Sequence, residues 1–211
     1  MMTKVILLRH GESIGNRKHV FLGHTDWDLS EKGYKQAQAA AEYLKKYPID
    51  VIYASDLKRA YNTAVPTARA LGLEIAVDKN LREIYAGKWE GMKYAEIEEK
   101  YAKDYENWHN DKENAVCTGG ESTKELRNRI VKAYKKIVAE NSGKTILIAT
   151  HSTPILILTH YVMGKNIDCK DGLPWAPNAS VTVIDAEKNE IILKGYADYL
   201  ADLKTMPAKK M

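Results

Sequence analysis

Short apolar runs closed by charge or a turn residue recur along the chain. Between them lie longer stretches whose apolar positions return every three or four residues. Lys4 to Leu8 and Thr145 to Ala149 are runs of the first kind, short and β-branched, which predicts strands buried on both faces. Asp50 to Ala54 and Glu74 to Val77 read as two further strands. The second kind predicts helices. One is capped by Ser30 and runs to about Lys46, with Glu31 near its positive end. One runs from about Leu57 to Leu71 and is ended by Gly72. Tyr94 to Tyr105 is a charged helical stretch, Glu121 to Glu140 a long amphipathic helix, and Pro154 to Met163 an apolar one. Val181 to Ile184 and Ile191 to Leu193 predict a hairpin around Glu187-Lys188-Asn189. Strands alternating with helices imply an α/β sheet with helices on both faces. In such sheets ligands sit beyond the carboxyl ends of the strands.

Composition narrows the picture. With 211 residues, 45% of them hydrophobic, the chain can fill one core, and no Gly/Ser-rich or Pro-rich linker divides it, so residues 1–211 read as a single domain. The formal net charge of +4 suits an anionic substrate, but Lys and Arg alternate with Glu and Asp, and no basic stripe or aromatic ladder argues for nucleic acid. The lysine-rich end, Ala208-Lys209-Lys210-Met211, reads as a solvated tail. Cys117 and Cys169 form no C-x-x-C pair, which favours free thiols in a reducing cytoplasm. The apolar run before Arg9 is too short for a signal peptide. The stretch from Ile146 to Met163 contains His151, Ser152, Pro154 and His160, so no membrane span is expected.

The chemistry gathers at three strand ends. Val5-Ile6-Leu7-Leu8 runs into Arg9-His10-Gly11-Glu12, and Ile146-Leu147-Ile148-Ala149 runs into Thr150-His151-Ser152. The strand ending at Ala54 leads through Ser55-Asp56 to Arg59 on the first turn of a helix. If these strands are parallel, two histidines and two arginines converge on one pocket. Fixed cations of that kind stabilise the spread negative charge of a phosphoryl group, and arginine matches its oxygens bidentately.

Leu8-Arg9-His10-Gly11-Glu12 followed by Asn16 resembles the signature of the histidine phosphatase superfamily, which includes the phosphoglycerate mutases and many small phosphatases. The resemblance continues in family order over about Lys4 to Ile184. Its further blocks are Gly23-His24-Thr25-Asp26 with Leu29-Ser30, Gly33 and Gln36-Ala37, then Ser55 to Ala60 with Thr63-Ala64, then Leu81-Arg82-Glu83 with Gly87 to Gly91, then Gly119 to Ser122, and finally Thr150-His151-Ser152. It implies a three-layer α/β/α sandwich with a mostly parallel central sheet and a small helical lid over about residues 94–119.

The resemblance also implies roles. His10 would attack phosphorus through one ring nitrogen and form a phosphohistidine, which requires an acceptor on its other nitrogen. Arg9, Arg59 and His151 would hold the phosphoryl oxygens, Asn16 would add a neutral donor, and Gly23 and Ser152 would line the substrate site. Glu83 would protonate the leaving oxygen and then take a proton from the attacking water. No metal and no cofactor is needed, because the arginines supply the charge. Leu22 stands where the family commonly has Gln, which removes a polar contact and makes the pocket more apolar there. Of the other candidates, Trp108 is the tryptophan expected nearest the substrate, His24 lines the pocket mouth or serves a turn, and His160 is expected to pack.

The implied function is a phosphomonoesterase acting on a small phosphorylated metabolite. The alternatives are a phosphoglycerate mutase and an inactive module that keeps the phosphate pocket for binding. A dead module is expected to lack His10, Glu83 or His151, and all three are present. The run from Leu81 to Gly91 and the short cover favour the phosphatase. The physiological phosphomonoester and the choice between monomer and dimer stay open.

Overall fold

A computed structural model describes residues 2–167 and 176–205. Cys169 and the lysine-rich end lie outside the described residues. The strands are β1 (Lys4–Arg9), β2 (Val51–Ala54), β3 (Ile75–Val77), β4 (Thr145–Thr150), β5 (Val181–Asp185) and β6 (Glu190–Tyr196). The helices are α1 (Ile14–Arg17), α2 (Glu31–Leu44), α3 (Lys58–Leu71), α4 (Tyr94–Lys100), α5 (Ala102–Asn110), α6 (Thr123–Glu140) and α7 (Ser152–Val162). One sheet holds all six strands in the order β3-β2-β4-β1-β5-β6. The pairs β1/β4, β2/β4 and β2/β3 are parallel, and β5 runs antiparallel to both β1 and β6.

The alternation of side chains along a strand sorts the apolar runs into two cores. Val5, Leu7, Ile146 and Ile148 face one side, where α6 and α7 cover them with Leu126, Ile130, Ile155 and Leu158. Ile6, Leu8, Leu147 and Ala149 face the other, under Ala40 and Leu44 of α2 and Ala64 and Ala68 of α3. Burial on both faces is why β1 and β4 read as continuous apolar runs, and it makes the expected α/β/α sandwich.

Most element ends follow local chemistry. Ser30 Oγ accepts from Gly33 N at 3.0 Å and caps α2, Gly72 ends α3 in the left-handed conformation, and Ser122 and Glu125 form a capping box at α6. Helix α7 begins at Ser152, two residues before the proline expected to open it. Pro154 fits there because the first-turn N–H groups have no partner within the helix in any case. The charged stretch from Tyr94 is two helices, broken at Tyr101 (φ −133°, ψ 40°), and it extends to Asn110. Tyr105 and Trp108 of the second helix pack edge to face on Phe21 and Trp89. Strand β6 runs longer than the apolar core of its sequence, because an edge strand alternates exposed and half-buried positions.

One close approach fixes α2 against the loop after β1. A Cβ on Gly33 would lie 2.0 Å from the Glu12 carbonyl oxygen, and one on Gly11 would lie 2.7 Å from the Gly33 carbonyl oxygen. Two bare backbones therefore touch. Inside a helix, Gly→Ala ordinarily stabilises by about 0.5–1 kcal/mol. At Gly33 the sign reverses, because the contact cannot open without moving the loop that carries His10. We expect Gly33→Ala to lower the unfolding free energy by about 2 kcal/mol, measured by urea titration.

Candidate active site

The parallel register places Arg9 of β1 opposite Thr150 of β4. His10 and His151 are each the next residue, and their rings come to 5.2 Å between centroids. His10 N donates to the Thr150 carbonyl at 3.0 Å, which ties the two strand ends together. The His10 ring contacts the Gly11 carbonyl through Nδ1 at 2.7 Å. A carbonyl only accepts, so Nδ1 carries the proton and Nε2 keeps its lone pair. The acceptor that a nucleophilic imidazole requires is thus supplied by the backbone one residue on.

Arg59 enters from the first turn of α3 and is fully buried. Its Nη1 donates to the Thr25 carbonyl at 2.8 Å and its Nη2 to the Gly23 carbonyl at 2.7 Å. Two of its five N–H groups therefore hold the loop before α2. Nε has no partner among the described residues. Arg9 donates from Nη1 to the Ala176 carbonyl, and its Nε is likewise buried without a partner. His151 Nε2 lies 2.9 Å from Ser55 Oγ, while its Nδ1 and the Ser152 hydroxyl are buried and unpartnered. Buried polar groups are ordinarily paired. Four of the unpartnered atoms, Arg9 Nε, Arg59 Nε, His151 Nδ1 and Ser152 Oγ, belong to residues at the ends of β1 and β4 and the starts of α3 and α7, and none has a partner among the described residues.

The remaining expected residues fall around this centre in different ways. The Asn16 side-chain oxygen accepts from Ser13 N, Ser13 Oγ and Asn178 Nδ2, so it faces the α1 cap, and the amide nitrogen is the group left to donate. Leu22 is buried with its side chain against Gly15. The Glu83 carboxylate accepts from Ile84 N at 3.0 Å and from Thr153 N, on the first turn of α7, at 3.3 Å. Trp108 of α5 is buried in the aromatic cluster with Phe21 and Trp89. Burial pushes the hydroxyl of Tyr94, at the start of α4, above its ordinary value, and the charge of Arg9 acts against that shift. Among the described residues no His, Cys, Asp and Glu side chains cluster as metal ligands, and no helix is long and apolar enough to cross a membrane.

The family model for the histidine phosphatase superfamily (branch 1) matches residues 5–199. The chain belongs to this superfamily. Among curated relatives, phosphoserine phosphatase 1 of Hydrogenobacter thermophilus is 35% identical over 194 residues, which is 92% of this chain and 92% of that protein. Glucosyl-3-phosphoglycerate phosphatase of Mycolicibacterium vanbaalenii is 32% identical, over 84% of this chain and 81% of its own. Among solved structures, Bacillus stearothermophilus YhfR superposes with a TM-score of 0.88 at 27% identity, over 94% of this chain and 99% of its own.

Several residues that build this histidine phosphatase site escape a reading by motif. Glu90 stitches the loop at Gly23 to Thr25 by accepting from His24 N at 2.6 Å and Thr25 N at 2.8 Å. Thr63 Oγ1 accepts from Gly11 N at 2.9 Å and donates to the Arg59 carbonyl at 2.6 Å, joining the nucleophile loop to the arginine helix. Asn178 Nδ2 and Ala179 N both donate to the His10 carbonyl, at 3.2 and 3.1 Å. Glu90 and Thr63 stand in blocks that carry the resemblance, but nothing in the sequence tells which side chains touch substrate and which brace those that do. Asn178 follows no motif at all.

Burial holds His10 and His151 well below the ordinary imidazole value of 6.5, and Arg59 and Arg9 push both further down. Arg59 itself is lowered to about 10 by burial and remains charged at neutral pH. Both rings thus stay neutral in the folded protein at pH values where the unfolded chain protonates them. The unfolded state binds more protons there, so stability falls as pH drops below 6.5. We expect the urea midpoint to decrease between pH 7.5 and about pH 5.5, above the range where carboxylates titrate. A flat midpoint over that window contradicts neutral buried rings.

Proposed function

We propose that this chain is a phosphomonoesterase that hydrolyses a small phosphorylated metabolite through a phosphohistidine on His10. The observation that carries the reading is the unprotonated His10 Nε2, fixed by the Nδ1 contact with the Gly11 carbonyl beside two buried arginines. The names of the relatives, phosphoserine phosphatase and glucosyl-3-phosphoglycerate phosphatase, support the same reaction class.

In this reading the phosphoryl group enters between Arg9, Arg59 and His151; with Nε2 of His151 accepting from Ser55 Oγ, its Nδ1–H joins the arginine N–H groups in meeting the phosphoryl oxygens. Asn16 adds its amide, Ser152 its hydroxyl, and Leu22 and Gly23 form part of the wall. His10 Nε2 attacks phosphorus as the ester oxygen leaves with a proton from Glu83. Glu83, now a carboxylate, takes a proton from the water that attacks phosphohistidine, and inorganic phosphate departs. The arginines supply the positive charge, so the proposed reaction uses no metal or cofactor. Residues 1–211 act as one domain in this proposal, with residues 94–119 as its lid, and the work is assigned to the cytoplasm.

The central test is chemical. Turnover with excess EDTA present, quenched and digested, is expected to give an acid-labile, base-stable phosphoryl adduct on the His10 peptide. His10→Ala is expected to lose both adduct and activity, by about 10⁴-fold or more. Full activity in that variant, or turnover that EDTA abolishes and a divalent ion restores, overturns the proposal.

The same reading separates hydrolysis from mutase chemistry. A mutase must shield its phosphohistidine from water while the product reorients. The segment between Glu83 and α6 offers only the two short helices α4 and α5 as cover. With 3-phosphoglycerate primed by 2,3-bisphosphoglycerate, free phosphate is expected to appear faster than 2-phosphoglycerate. Isomer outrunning phosphate reverses the assignment.

A further inference from the structure

Arg129 lies on α6, the helix pinned to the sheet by Leu126 and Ile130. A guanidinium has five N–H donors, and here all five are engaged. Nε and Nη2 grip the two oxygens of Glu121 at 2.7 and 2.8 Å. The other three reach main-chain carbonyls of the acid loop: Asn80 at 2.9 Å, Arg82 at 2.8 Å and Glu83 at 2.7 Å. Glu121 completes the grip by accepting from Tyr85 N at 3.1 Å. The backbone on both sides of Glu83 is thus fastened to a rigid helix by one largely buried ion pair. The Glu83 carboxylate has far lighter support, from Ile84 N and Thr153 N among the described residues.

We propose that Arg129 is a positioning residue that aims the Glu83 carboxyl at the leaving oxygen. The proposal rests on the reading of Glu83 as the proton donor. Arg129 touches no reacting atom. It sets the main chain from which the donor projects, with Glu121 fixing the angle of the guanidinium plane. His24 Nε2 adds a further bond to the Glu83 carbonyl at 2.9 Å, but from a loop rather than a helix. Lysine cannot replace the fork, because an ammonium has three donors converging on one point. Charge alone is therefore insufficient, and the conservative substitution is expected to fail in a specific way. A misplaced acid slows only those substrates whose leaving oxygen needs its proton.

The test compares kcat/KM of the full chain on phenyl phosphate, whose phenolate is a strong base, and on p-nitrophenyl phosphate, whose leaving group departs without help. Arg129→Lys is expected to lose about tenfold or more on phenyl phosphate and under about threefold on p-nitrophenyl phosphate. Glu83→Gln should show the same selectivity, and the double variant should be no slower on phenyl phosphate than Glu83→Gln alone, since the donor is already gone. If Arg129→Lys fails to fold by circular dichroism, Glu121→Gln takes its place. That variant keeps the shape of the partner, removes its charge and is expected to show the same preference. Equal losses on both substrates in the Arg129 and Glu121 variants, with Glu83→Gln still selective, overturn the positioning role and leave a merely structural ion pair. Equal losses in Glu83→Gln overturn the proton-donor reading itself.

Discussion

When β1 and β4 pair in parallel with Arg9 opposite Thr150, two imidazoles are delivered to the same edge of the sheet one residue later. Everything else at the site depends on that register. A slip of one residue would turn Leu8 and Ala149 to the opposite core and carry His10 away from its partner. The register is enforced from both sides, because each strand is buried on both faces and a shift would push side chains shaped for one core into the other. Hydrophobic burial thereby does the geometric work that no polar contact at the site could do alone.

Around that edge the protein braces its reactive side chains with main-chain groups. The Gly11 carbonyl sets the His10 tautomer, and the Gly23 and Thr25 carbonyls orient Arg59. Carbonyls of the acid loop meet Arg129, and the Thr150 hydroxyl donates to the Leu81 carbonyl at 2.6 Å. Placing cations in a buried site is costly, and low dielectric strengthens whatever does pair with them. The carbonyls offset part of that cost without neutralising the arginines, so the guanidinium groups remain cationic toward an anion.

Much of this was legible in the sequence where a local rule applied. Continuous apolar runs marked β1 and β4, Ser30 and Gly72 marked helix ends, and the blocks around His10, Arg59, Glu83 and His151 pointed to one pocket. What escaped depends on contacts between distant segments. The break at Tyr101 has no proline or glycine to announce it. Trp108 is the tryptophan expected nearest the substrate, yet packing against Phe21 and Trp89 draws it into the core. Arg129 stands among other charges on an amphipathic helix, and nothing local in the sequence sets it apart. Only the folded chain brings three carbonyls to meet it.

Helix α5 is secured in a different manner from the strand-edge centre. Its Tyr105 and Trp108 rest on the Phe21 and Trp89 rings, a contact of shape and area, whereas Arg59 and Arg129 are pinned by bonds of fixed direction. Aromatic surfaces tolerate exchange of neighbouring residues better than directional bonds do, since volume can be conserved in several ways. Changes around α4 and α5 can therefore accumulate while His10, Arg59 and the bonds that brace them stay still. A lineage built on this plan is free to vary those two helices, and each step along that drift leaves the strand-edge histidines where they are.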